Sequence, residues 1–149
     1  MLSNTHWLEV VERTPLVSID LIVRDAQGRV LAGLRNNRPA QHTWFVPGGV
    51  IRKNETLDQA FARIARVELG LDLRRGDARF RGVYEHHYSD NFAGVADVST
   101  HYVVLAYELT VNDLKAEAPL DQHRQMRLFT VDELRQDPAV HQNTRAYFP

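Results

Sequence analysis

One segment constrains the fold more than any other. Pro47-Gly48-Gly49 leads into a short polar loop, and from Thr56 onward Leu57, Ala60, Phe61, Ile64 and Glu68 recur at helical spacing until Gly70. Thr56 is suited to cap the helix and Gly70 to stop it. A helix with such an apolar stripe must lay it on another element, and the rest of the chain supplies a sheet. Strands are predicted over 16–24 and 29–34, joined by the turn Asp25-Ala-Gln-Gly28, and over 79–88, 101–109 and 124–129. An extended piece covers 44–47, with loops at 36–43 and 89–100. Shorter helices are predicted at 4–13, with Asn4 or Thr5 as cap and Trp7, Val10 and Val11 on one face, at 131–136 and at 139–147. This order predicts an α/β or α+β sandwich, a mixed sheet between helices. At 149 residues the chain is expected to form a single domain over 1–149.

Composition narrows the function. With 18 basic and 19 acidic residues the formal net charge is -1, which argues against a general nucleic-acid or anionic-membrane binder. There is no cysteine, so disulfides, thiolate catalysis and cysteine-ligated zinc are excluded. No apolar run approaches the ~18 residues that span a bilayer. Met1 to Glu12 lacks the basic start and apolar stretch of a signal peptide, so a cytoplasmic location is expected. Among the basic residues only Lys53 and Lys115 are lysines. Arginine offers a planar fork of donors that fits phosphate and carboxylate, but genomic base composition alone can produce such a bias.

Gly49, Glu55, Arg63, Glu68, Gly70 and Leu71 fall in the register of the Nudix box: Gly, five residues, Glu, seven residues, Arg-Glu, an aliphatic, any residue, Glu-Glu, any residue, Gly, an aliphatic. The segment resembles that box, and the resemblance implies the Nudix fold and a divalent-metal hydrolase. Two positions depart from it, since its other glutamates would fall at Ile64 and Val67. Three carboxylates on one helix face could hold several cations against a diphosphate, whereas Glu68 alone suits a single hard cation helped by carbonyl oxygens and water.

The chain as a whole resembles the GDP-mannose mannosyl hydrolases, a Nudix branch that lacks the same two glutamates. The resemblance runs through Thr14-Pro-Leu-Val-Ser18 with Asp20, Asn37-Arg-Pro-Ala-Gln41, Trp44-Phe-Val-Pro-Gly-Gly49, Asp90-Asn-Phe92, Thr100-His-Tyr-Val-Val-Leu105, Gln122-His123 and Arg145-Ala-Tyr-Phe148. It implies water attack at the anomeric carbon, release of GDP and inversion of the sugar. It further implies Mg²⁺, one ion per subunit and replaceable by Mn²⁺, on the Gly48 carbonyl, Glu68 and Gln122. In the same way His123 would be the general base, and Arg35, with Arg38 as a weaker candidate, would contact the diphosphate. Tyr102 would donate to the leaving phosphate, or simply pack in the core. Asp20 would bind sugar hydroxyls with His86, or pair with an Arg. Trp7 would lie near the base, at a dimer contact or in the core. Arg63 is expected to pair with Glu55 and orient the box loop. The branch usually carries Arg immediately after Gly-Gly, where this chain has Val50. Arg52, about 7 Å further along an extended segment, is expected to replace it in part. The resembling enzymes are homodimers acting on nucleotide sugars. Two competing readings are conventional diphosphate cleavage of another nucleotide sugar and a non-catalytic nucleotide-sugar-binding module.

Overall fold

The structure, a computed structural model, describes residues 2–119 and 124–149. Helix α1 spans Asn4–Arg13. Strands β1 (Leu16–Arg24), β2 (Val30–Leu34), β3 (Trp44–Phe45) and β4 (Gly48–Val50) follow. Helix α2 covers Leu57–Leu69, with a single 3₁₀ turn after it at Arg75–Asp77. The long strands β5 (Arg79–Tyr88) and β6 (Thr100–Thr110) precede β7 (Met126–Phe129), α3 (Val131–Gln136) and α4 (Gln142–Arg145).

The sheet is mixed. Its path is β3-β2-β1-β6-β5, with β4 joined to β1 and β7 to β2. Strand β1 runs parallel to β6 along its whole length, from Leu16 opposite Tyr102 to Arg24 opposite Thr110. Its other edge is divided, because β2 meets it only at Arg24 while β4 pairs with Ser18, Ile19 and Asp20. β2 thus leaves β1 after Arg24, β4 takes its place beside Ser18 to Asp20, and the cavity forms at that end.

Alternation along β1 sorts its side chains between two faces. Ile19, Leu21 and Val23 pack with Phe61, Ile64, Ala65 and Leu69 of α2, while Ile22 joins Phe129, Leu134, Val140, Tyr147 and Phe148 on the other side. Helices thus cover both faces, as the element order predicts. Thr56 and Gln59 complete a reciprocal capping box at the start of α2. Gly70 ends the helix in the left-handed conformation at φ 66°.

Three elements differ from expectation. Gly48–Val50, where no strand is predicted, forms one because β1 offers it an open edge. The helix predicted over 139–147 shrinks to Gln142–Arg145, since Val140 bridges Trp44 and the His141 ring nitrogen Nδ1 caps the helix start. The strand predicted from Arg124 begins at Met126. No helix among the described residues is long and apolar enough to cross a membrane.

Candidate active site

The loop between β4 and α2 is held by one ion pair. Arg63 Nε donates to Glu55 Oε2 at 2.7 Å, its Nη2 donates to Glu55 Oε1 at 2.9 Å, and Nη2 also reaches the Val50 carbonyl at 2.8 Å. Glu55 Oε1 accepts the Arg52 N–H as well, at 2.7 Å. These bonds, led by that from Arg63, lower the Glu55 pKa to about 2. The Glu55 carboxylate is thus fully engaged by Arg63 and the Arg52 N–H, and the pair braces the loop against the helix.

Beside it opens a cavity of about 500 Å³. Its lining includes Asp20 and Ser18 from β1, Gly48 to Val50 from β4, Glu68 from α2, Arg35, Phe45, His86, Tyr88, Tyr102 and Arg124. Strand alternation explains the set from β5 and β6, because His86, Tyr88 and the cross-strand partner of His86, Tyr102, face the same way. Gly48 is required by its position opposite Asp20. A Cβ there would run into the Asp20 carboxylate and lie 2.7 Å from the Ile19 carbonyl oxygen.

Asp20 sits at the cavity floor. Burial raises its pKa to about 7, and the nearby Glu68 carboxylate adds to the rise, against the opposing influence of the Tyr147 hydrogen bond and the Arg35 charge. Tyr147 Oη donates to Asp20 Oδ2 at 2.6 Å and lies 3.5 Å from His86 Nε2. Burial, with the neighbouring His141 and His87, lowers His86 to about 4, so its imidazole is neutral at pH 7. Burial likewise pushes Tyr88 up to about 12 and raises Tyr102, so both phenols remain protonated donors.

Two cations border this floor. The Arg35 guanidinium carbon lies 5.3 Å from the centre of the Phe45 ring, and its Nε is buried without a hydrogen-bond partner among the described residues. Arg124 donates to Glu68 Oε1 at 3.2 Å and to the Glu68 carbonyl at 3.2 Å, and its own Nε is likewise buried and unpartnered. Buried donors without acceptors are uncommon, and both of these arginines line the cavity. An aromatic wall adjoins it: Phe45 stacks on His141 at 4.6 Å, and Tyr88 meets Tyr102 edge-on at 5.9 Å.

The cavity therefore brings together Asp20, Arg35, Gly48, Gly49, Glu68, His86 and Tyr102. Among the described residues it does not include the other candidates. Glu55 and Arg63 hold the neighbouring loop, and Gly70 caps α2. Arg52 is exposed, and Arg38 borders a separate recess with His42, His87 and His141. Trp7 is half-buried in an apolar cluster with Val11, Leu16 and Val98, to which Val50 and Tyr102 also belong. Gln122 and His123 lie outside the described residues. Sequence reasoning missed Arg124, Tyr88 and Tyr147. Arg124 adjoins the singled-out pair Gln122-His123 and could have been found there; Tyr147 reaches Asp20 from the far end of the chain and leaves no local signal.

Comparison with known proteins assigns the family. The NUDIX domain model matches residues 14–149. The low-salt glycan biosynthesis protein Agl8 of Haloferax volcanii is 42% identical over 126 residues, 85% of this chain and 78% of that protein. The chain belongs to the Nudix family. Among solved structures, the MutT protein of Methanosarcina mazei superposes with a TM-score of 0.71 at 19% identity, covering 91% of this chain and 92% of its own. The Nudix domain of Shewanella oneidensis NrtR, solved with ADP ribose, superposes with a TM-score of 0.65 at 16% identity, covering 98% and 95%.

Within the Nudix box the two departures have different physical settings. Ile64 is 1% exposed, and its Cγ1 lies 3.1 Å from where a Cβ on Gly49 would stand, so it is part of the core under the box strand. Val67 is 46% exposed and points away from the core. Glu68 is the box-helix carboxylate among the cavity-lining residues. Its donor chemistry fits a hard cation: Glu68, the Gly48 backbone and the Asp20 carboxylate against it all offer oxygen.

Proposed function

We propose that the chain hydrolyses GDP-mannose, with GDP-glucose as a second substrate, to GDP and the free sugar by attack of water at the anomeric carbon. The observation that carries this reading is the single box-helix carboxylate facing the cavity. Cleavage at phosphorus in this family's box chemistry draws on several carboxylates, and here two of those positions are a core isoleucine and an exposed valine. Attack at carbon instead needs a leaving diphosphate held by cations and a base for the water. The Nε atoms of Arg35 and Arg124, buried and unpartnered among the described residues, supply donors for such an anion.

In this reading Arg35 and Tyr102 grip the diphosphate, Arg35 as the principal contact. Asp20 accepts from sugar hydroxyls while Tyr147 fixes its orientation, and the neutral His86 beside them completes the sugar contact. His123 takes the proton of the attacking water. Gly48, Glu68 and Gln122 would hold Mg²⁺ or Mn²⁺, which would supply positive charge against a diphosphate. Arg38 and Arg52 are outer contacts of the phosphate region, and Trp7 supports Tyr102 through their shared cluster. The protein acts as a cytoplasmic homodimer. The glycan-biosynthesis relative supports a nucleotide-sugar setting.

Hydrolysis in ¹⁸O-water tests the reaction class. Label in the released sugar is expected; label in phosphate, or GMP and sugar phosphate as products, would establish conventional diphosphate cleavage instead. Val50 favours a second reading, since it places an apolar side chain where the resembling enzymes carry Arg. A binding module would gain thermal stability from GDP-mannose with Mg²⁺ and show no turnover.

A further inference from the structure

On β5 and β6, the residues between those that line the cavity face the opposite side of the sheet. His87 stands directly across from His101, and Glu85 lies two residues from His87 on the same face. The two imidazoles stack with centroids 4.3 Å apart and an interplanar angle of 26°. Glu85 Oε2 is 3.6 Å from His87 Nε2. One ligand atom from each of the three residues lies within 4.8 Å of the others.

We propose that Glu85, His87 and His101 form a surface site for a divalent transition-metal ion such as Zn²⁺, separate from the oxygen-lined cavity. Tetrahedral Zn²⁺ with nitrogen and oxygen ligands at about 2.0–2.2 Å spaces them about 3.4 Å apart. The three side chains must therefore close by about an ångström. Glu85 and His87 are 73% and 63% exposed, so they can rotate without disturbing the core. The backbone register does the rest, because cross-strand pairing holds the two histidines opposite each other before any ion arrives. Solvent supplies the fourth ligand on this exposed face. Two imidazoles and a carboxylate suit Zn²⁺, Cu²⁺, Ni²⁺ and Co²⁺ and are a poor set for Mg²⁺, which prefers oxygen. The β5–β6 pair would thus carry this ion on the face opposite the one that lines the cavity. An ion here ties the outermost strand β5 to β6, and with it the reverse-side residues His86, Tyr88 and Tyr102 that line the cavity.

The test is titration of metal-stripped protein with Zn²⁺ and Co²⁺, read by calorimetry, by the visible bands of Co²⁺ and by thermal melting. The wild type and Glu68→Gln are expected to bind the ion with tetrahedral Co²⁺ bands and to melt higher in Zn²⁺ than in Mg²⁺. The double variant His87→Gln/His101→Gln is expected to lose Zn²⁺ affinity by more than the roughly 10–100-fold typical of removing a mere supporting group. His87→Gln alone, at an exposed position, guards against misfolding and is expected to lose affinity in part. The proposal is overturned if the double variant binds Zn²⁺ as the wild type does, or if all Zn²⁺ binding disappears with Glu68→Gln.

Discussion

Two carboxylates near the same short strand, β4, meet opposite fates. Glu55, in the loop that follows the strand, is pinned by Arg63 and the Arg52 N–H, and its pKa falls to about 2. Asp20, paired through the backbone with Gly48 of β4, lies half-buried near another carboxylate and rises to about 7. The box loop pairs its carboxylate internally; the cavity leaves some of its donors unmet, with buried nitrogens on Arg35 and Arg124 lacking partners among the described residues. The difference separates groups that hold the fold from groups available to a ligand. The arginine excess divides along the same line. Arg24, Arg79 and Arg81 converge on Glu108, and Arg63 serves Glu55, so most well-placed arginines are structural.

This contrast can be broken most forcefully at the seam between the two regions. Ile64→Glu would restore a box carboxylate but bury it in the core, and a stability loss of at least about 3 kcal/mol is expected from urea unfolding. Val67→Glu, at an exposed site, is expected to stay within about 0.5 kcal/mol of wild type in the same experiment. Arg35→Ala is expected to lower turnover of GDP-mannose by ~10²- to 10³-fold with little change in melting temperature. Arg63→Ala is expected to do the reverse in kind, costing about 2 kcal/mol of stability by leaving Glu55 and the Val50 carbonyl without their donor. A melting temperature unchanged by Arg63→Ala would show that the box loop is not a structural support.

The smallest effects lie in the pH dependence, and their signs differ. Glu55 has a folded pKa below its unfolded value of 4.5, so its contribution is full above that value and fades as pH falls toward 2. Glu55→Gln is therefore expected to destabilise more at pH 7 than at pH 3. Asp20 has a folded pKa above its unfolded value of 3.8, so ionising it weakens the fold as pH rises from about 4 to 7. In metal-free buffer, Asp20→Asn is expected to raise the melting temperature at pH 8 and to lose that gain below pH 4. Parallel pH trends in the two variants would erase the distinction.

Much of the frame was legible because its signals are local. The Thr56 cap, the apolar stripe and Gly70 predict α2, and the hairpin turn at Asp25-Ala-Gln-Gly28 predicts β1 and β2. β4 was hidden because two glycines carry no strand signal of their own until a free strand edge is known to lie beside them. The C-terminal helix was overextended because Val140, apolar and in phase, belongs to a bridge with Trp44. At the site, Arg35 and Glu68 could be placed from the box and the hairpin end. The Tyr147–Asp20 bond could not, since it joins positions that only the packed fold brings together.

The divided edge of β1 has a kinetic consequence. Around Ser18 to Asp20 the strand is paired on both sides, with β4 and with β6, so its amides open only when the whole domain unfolds. Arg35, in contrast, begins a loop closed by bonds between its own backbone and Thr43 and His42. The cavity floor would exchange hydrogen for deuterium among the slowest parts of the molecule, and the loop far sooner. Descendants of this chain could then change loop side chains around the cavity while the Asp20 carboxylate stays fixed in the slowest-exchanging strand.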